Sequence, residues 1–123
     1  MAEVRNLKKY DLEDRCLIFS KKVRDYVKKL PRSTSNIEYG KQLIRSSSSV
    51  GANYIEANES LSRKDFFMRI KISRKEAKES EYWLLLAEPS NDAVAEKDTL
   101  IQEATELRKI FGSILQKSNT EHV

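Results

Sequence analysis

The chain has 123 residues, of which 34% are charged and 39% hydrophobic, and a formal net charge of +4. That length suits one domain with its own core, and only three Gly and two Pro interrupt it, which points to long helices. No run of about 18 apolar residues occurs to span a membrane, a lone Cys excludes an internal disulfide, and a lone His excludes a His-based triad or a multi-His metal site.

The first predicted helix covers about residues 12–30. Asp11 is a good N-cap and Asp14 complements the positive helix end. Leu12, Cys16, Phe19, Val23, Tyr26 and Leu30 follow at spacings of 4, 3, 4, 3 and 4, one continuous stripe. Pro31 stops the helix by pushing Leu30 out of helical geometry. The second helix is expected over about residues 36–60, capped by Ser35 or Asn36. Leu43, Ser47, Val50, Tyr54, Ala57 and Leu61 form its stripe, widened by Ile44, Gly51 and Ile55. The serines at 46–49 and Gly51 are poor helix formers, and with Ala52 these small residues suggest close approach of another helix.

The third helix is expected over about residues 63–88, with Ser62 and Asp65 resembling a capping box, and Pro89 after its end. Its stripe is Phe66, Ile70, Ser73, Ala77, Ser80 and Leu84. The fourth is expected over about residues 93–117 on Val94, Ile101, Ala104, Leu107, Phe111 and Ile114, with a frayed tail after it. Short connections make neighbours antiparallel. The expectation is therefore one all-α domain, residues 1–123, an up-down-up-down four-helix bundle. Residues 1–10 contain no apolar stretch of a secretory signal, and with the lone Cys16 this suggests a reducing cytoplasm.

The third helix carries more apolar surface than one core needs. At about 100° per residue, Met68, Ile72, Trp83 and Leu86 fall roughly opposite the core stripe. A helix apolar on two sides is usually covered on both, so these four form a candidate oligomer interface. The alternative is that Trp83 and Leu86 close one end of the core.

Basic residues cluster by segment. Residues 1–35 carry ten Lys/Arg against five Asp/Glu, and residues 62–89 carry seven against five. On the first helix Arg15, Lys22 and Lys29 repeat every seven residues along one flank, while Lys21, Arg24, Lys28 and Arg32 fall on the outer side. On the third, Lys71, Arg74 and Lys78 share a stripe. Rows of cations at helical spacing can track phosphates without reading bases; a solvated face with ion pairs is the competing reading.

Catalytic constellations are scarce. Cys16 lies on the core stripe, as a small buried hydrophobe does. The serines at 46–49 have no base near them in sequence. Glu76 and Glu79 lack the Glu-x-x-His pairing of a carboxylate metal bundle. Hydrogen bonds between helices among Asn53, Glu56, Glu76 and Glu79 are the expected use of these groups. No cofactor, metal or membrane partner is expected.

Three stretches carry a family likeness. Ser49-Val50-Gly51-Ala52-Asn53-Tyr54-Ile55-Glu56-Ala57, then Ser62-Arg63-Lys64-Asp65-Phe66, then Lys75-Glu76-Ala77-Lys78-Glu79-Ser80-Glu81-Tyr82-Trp83-Leu84 resemble the four-helix-bundle proteins encoded in intervening sequences of bacterial 23S rRNA genes, often labelled S23 ribosomal proteins. Tyr10-Asp11-Leu12 and Phe19-Ser20-Lys21-Lys22-Val23 fit as well, so the likeness covers about residues 8–117. Many relatives read closer to Asn-Ile-Ala-Glu-Gly where this chain has Asn53-Tyr54-Ile55-Glu56-Ala57, which implies different local packing. The resemblance implies a homopentameric barrel. It also implies kinship with the accessory variability determinant of diversity-generating retroelements, a basic pentamer that binds nucleic acid and a reverse transcriptase. It implies no catalytic residues. The expected function is a non-enzymatic, oligomeric RNA- or DNA-binding or scaffolding protein; the alternative is an adaptor for a protein such as a reverse transcriptase.

Overall fold

The computed structural model describes the backbone of residues 11–121 and the side chains of residues 11–117. Four helices make up most of it: α1 Leu12–Lys28, α2 Thr34–Asn58, α3 Arg63–Leu86 and α4 Val94–Glu121, the last preceded by a 3-10 turn at Asn91–Ala93. No strand occurs among the described residues, so the fold is all-α. The expectations for residues 1–10 and for His122 lie outside the described residues.

Local chemistry sets the boundaries. Asp11 Oδ1 accepts from Asp14 N at 2.8 Å and Ser62 Oγ from Asp65 N at 3.0 Å, so both predicted caps are in place. The cap of α2 is Ser33, not Ser35 or Asn36: its Oγ accepts from Asn36 N at 3.1 Å. Asn36 has another role. Buried, it donates through Nδ2 to the carbonyls of Pro31 (2.9 Å) and Glu88 (3.0 Å) and accepts from Glu88 N (2.9 Å), tying two connections together. α1 ends at Lys28, earlier than residue 30, because Lys29 and Leu30 donate to Tyr26 and Val27 in a tightened last turn ahead of Pro31. α3 ends at Leu86 because Ala87 is already extended, two residues before Pro89. α4 continues to Glu121, past the expected end at residue 117.

Contacts order the helices. Cys16 meets Gly51, Val27 meets Gly40, and Ser20 Oγ donates to Ser47 O at 3.2 Å, so partner numbers fall along α2 as they rise along α1. Between α2 and α3, Ser46 Oγ lies 2.9 Å from Ser80 Oγ and Ser73 Oγ donates to Val50 O at 2.9 Å. Between α3 and α4, Arg108 bonds Glu81, and Arg74 flanks Gly112. The core runs through all four helices, with Phe19, Tyr26, Leu43, Ile70, Leu84, Leu107 and Phe111 fully buried.

The predicted stripes of α1 and α3 face this core. Two others need correction. On α4 the expected Ala104, Leu107 and Phe111 are buried and Ile101 and Ile114 pack against the core, but Leu100 and Leu115 are buried more deeply, and Val94 is exposed while Ala93 takes the inward position. On α2, Ile44 and Ile55 do not widen the core face; both are exposed, and Leu61 lies wholly in solvent beyond the helix.

Close approach explains the small residues of α2. A Cβ on Gly51 would stand 3.0 Å from Cys16 Cβ, a core atom that cannot swing aside. Gly51→Val is therefore expected to destabilise by about 1–3 kcal/mol through overpacking, even though valine is the better helix former. Thermal unfolding by circular dichroism checks this; an unchanged or raised Tm contradicts so tight a crossing.

Burial, with the Glu103 charge adding to it, pushes the Cys16 thiol up to about 12, and burial pushes Tyr26 up to about 12 as well. Both folded values lie above the unfolded ones. Their contribution is complete below about pH 8.5 and is lost as pH rises toward 12. Between pH 8 and 10.5 the loss from Cys16 alone is roughly 2 kcal/mol. The urea midpoint should fall across that interval; a flat midpoint would show the thiol in contact with water.

Candidate functional site

The basic rows expected on the first and third helices end in different surroundings. On α1, Arg15 grips Glu103 with two bonds, Nε to Oε2 at 2.7 Å and Nη2 to Oε1 at 2.9 Å, and reaches Glu106 at 2.6 Å. Hydrogen bonding to Glu103 raises the pKa of Arg15 further, so its charge is permanent but spent within the bundle. Lys29 pairs with Glu96, and Arg24 with Asp25 at 3.0 Å, which holds the Asp25 carboxyl below its ordinary value. Lys21, Lys22 and Lys28 are exposed. Lys22 borders a cleft between α1 and α4 shared with Arg15, Glu103 and Glu106, where opposite charges alternate. The α1 row is thus neutralised in part: Arg15, Arg24 and Lys29 are paired, while no ion pair engages Lys21, Lys22, Lys28 or Arg32 among the described residues.

The α3 row is not. Lys71, Arg74, Lys75 and Lys78 form one wall of a groove of about 410 Å³, and Arg108, Lys109 and Gly112 of α4 form the other. Arg74 passes beside Gly112, where a Cβ would make only an ordinary contact, 3.9 Å from Arg74 Cδ. Arg108 Nε donates to Glu81 Oε2 at 2.6 Å, which fixes its guanidinium at the groove wall. Among the described residues, no ion pair engages Lys71, Arg74, Lys75, Lys78 or Lys109, all exposed. Six cations with a single tethered member make a surface that attracts multivalent anions.

Lys75, Arg108 and Lys109 were not singled out in the sequence. Lys75 follows Lys71 by four residues and its place was readable from helical spacing. The two α4 residues were not, because α4 has an acidic excess overall and only the pairing of helices brings them beside α3.

The polar group Asn53, Glu56, Glu76 and Glu79 divides in two. Asn53 Oδ1 accepts from Arg69 Nη1 at 3.0 Å, whereas Glu76, nearly buried, and Glu79 share Arg45 at 3.4 and 3.0 Å. Glu56, expected in the network, is exposed and joins neither part; only its backbone carbonyl accepts, from Ser60 Oγ at the end of its own helix. The helix-to-helix bonds exist, but arginines make them. Ser46, Ser47 and Ser48 direct their hydroxyls at carbonyls of α2. No three His, Cys, Asp or Glu side chains among the described residues are grouped to hold a metal ion.

Of the candidate interface residues, Met68 is 51% exposed and Ile72 and Leu86 are half-buried. Trp83 packs against its own core and meets Tyr39 at 6.1 Å, so it is not a bare outward-facing residue. Lys75, Glu79 and Tyr82 stand among these positions on the outer side of α3, which breaks the apolar continuity the spacing suggested. A straighter exposed row is on α2, where Ile37, Ile44 and Ile55 are 37–49% exposed. No helix among the described residues is long and apolar enough to cross a membrane.

A family model described as 23S rRNA-intervening sequence protein matches residues 8–113. Among solved structures, the chain is similar to a protein of unknown function from the S23 ribosomal protein family of Bacteroides thetaiotaomicron. The identity is 31% and the TM-score 0.75, over 85% of this chain and 98% of that one. A search of curated proteins finds no match.

Proposed function

This chain belongs to the 23S rRNA-intervening sequence protein family, and from that premise we propose that it is a non-enzymatic, self-assembling bundle that holds nucleic acid by its backbone. The observation that carries this reading is the α3–α4 groove with its six cations, five of them exposed and without an ion pair among the described residues. Phosphates entering it release counterions, a contribution to binding that carries no sequence information. Falling partner numbers between successive helices support an antiparallel, up-down-up-down arrangement.

Self-assembly is supported by the apolar row Ile37, Ile44 and Ile55 on α2 and by Leu17, 53% exposed, on the neighbouring α1. A cyclic assembly, the homopentamer that the resemblance implies, repeats the groove around an axis and multiplies its field. The same apolar row also favours a second reading, an adaptor that docks a protein such as a reverse transcriptase. The lone cysteine, buried and reduced, fits a cytoplasmic setting.

The test is a titration of RNA and DNA binding against salt. Six phosphate contacts give a log–log slope of about −4 for a single strand. Undetectable binding at about 50 mM salt overturns the nucleic-acid reading and leaves the adaptor.

A further inference from the structure

One exposed aromatic residue continues the cationic wall. Lys71, Lys75, Lys78 and Tyr82 follow one another at helical spacings of 4, 3 and 4 on α3, a single stripe about 16 Å long. Tyr82 is 57% exposed, although it is among the larger side chains of the molecule. Its ring is held in place: it meets Trp83 in a T-shaped contact at 5.1 Å, and Trp83 in turn packs on Tyr39 and the core. An exposed aromatic ring anchored from behind is a stacking platform. It stands one helical turn beyond Lys78, at the end of a row that follows phosphates.

We propose that the α3–α4 groove takes unpaired, single-stranded nucleic acid, with the backbone along Lys71, Lys75 and Lys78 and a base stacked on Tyr82. The inference rests on the backbone-binding reading above and adds the chemical class of the ligand. Duplex bases are stacked on one another and cannot cover the ring; an unpaired base can, whatever its identity, because every base has a π-face. The successive cations are about 4.5–6 Å apart along the axis, close enough for an extended strand to meet each in turn. Arg108 and Lys109 of α4 close the other side of the channel.

The experiment is fluorescence anisotropy of the full-length protein with three labelled probes at about 50 mM salt. These are an oligothymidylate of about 20 nucleotides, an abasic strand with the same number of phosphates, and a duplex of equal length. The oligothymidylate should bind on the order of tenfold more tightly than the abasic strand. Tyr82→Ala should remove that advantage without changing affinity for the abasic strand, and Tyr82→Phe should keep it. Emission of Trp83, the sole tryptophan, should change with the oligothymidylate and not with the abasic strand. Equal binding of the two strands, tighter binding of the duplex, or an equal loss on both strands in Tyr82→Ala overturns the stacking proposal while the backbone reading stands. If none of the probes binds, the backbone reading fails and this proposal fails with it.

Discussion

Replacing Lys75 and Lys78 together by glutamate is expected to weaken binding of a single strand by two orders of magnitude or more at about 50 mM salt. Each phosphate contact contributes about 0.7 to the salt slope, or close to tenfold in affinity at that salt. Two lost contacts give about a hundredfold, and two new anions in the groove add repulsion. Both lysines are exposed and neither takes part in an ion pair among the described residues, so the thermal transition should stay where it is. The control is Lys29→Glu on α1. Lys29 already faces Glu96, and its charge is spent there. Its reversal should leave nucleic-acid affinity nearly unchanged. The salt slope separates a local effect from a general one: the double variant should lose about 1.4 from it. If Lys29→Glu weakens binding as much as the double variant, net charge rather than the groove governs binding.

The second large effect concerns the fold. Phe111 is completely buried on α4, its ring 5.7 Å from Tyr54 of α2, within the cluster that joins all four helices. Phe111→Ala should cost about 3–5 kcal/mol, the transfer free energy plus a cavity that neighbouring helices cannot close. Against a usual total of about 5–15 kcal/mol, that removes much of the stability. Phe111→Leu should cost under about 1.5 kcal/mol. Urea unfolding followed by circular dichroism gives both values. A loss below about 1 kcal/mol in the alanine variant would mean that α4 is not wedded to the core as described.

Most of the architecture could be read from periodicity, and the exceptions have physical causes. The stripes of α1 and α3 were legible because their core-facing residues keep heptad-like spacing without a break. On α4 Leu100 and Leu115 lie one position from the expected Ile101 and Ile114 and are more deeply buried, a shift of one residue that spacing alone does not resolve. On α2 the serines and glycines gave the close crossing correctly. Ile44 and Ile55 misled because hydrophobicity alone does not say whether a residue faces its own core. The start of α2 was displaced because Asn36 looks like a cap by residue type, whereas it is buried as a tie between two connections.

The site was half visible. Lys71, Arg74 and Lys78 stood out by spacing, but their value depends on the absence of nearby acids, a three-dimensional property. Arg15, Lys29 and Arg24 looked equivalent in sequence and differ in the fold, because Glu103, Glu96 and Asp25 lie against them. The other wall of the groove, Arg108 and Lys109, comes from a segment whose overall charge is negative. No count along the chain reveals it.

Lysine footprinting tests the central claim most directly. The protein is acetylated briefly with and without a bound single strand, and modification at each lysine is read by mass spectrometry. The groove account expects protection at Lys71, Lys75, Lys78 and Lys109, with Lys21, Lys28 and Lys41 as reactive as in the free protein. Protection centred on α1, or spread evenly over all exposed lysines, would contradict it.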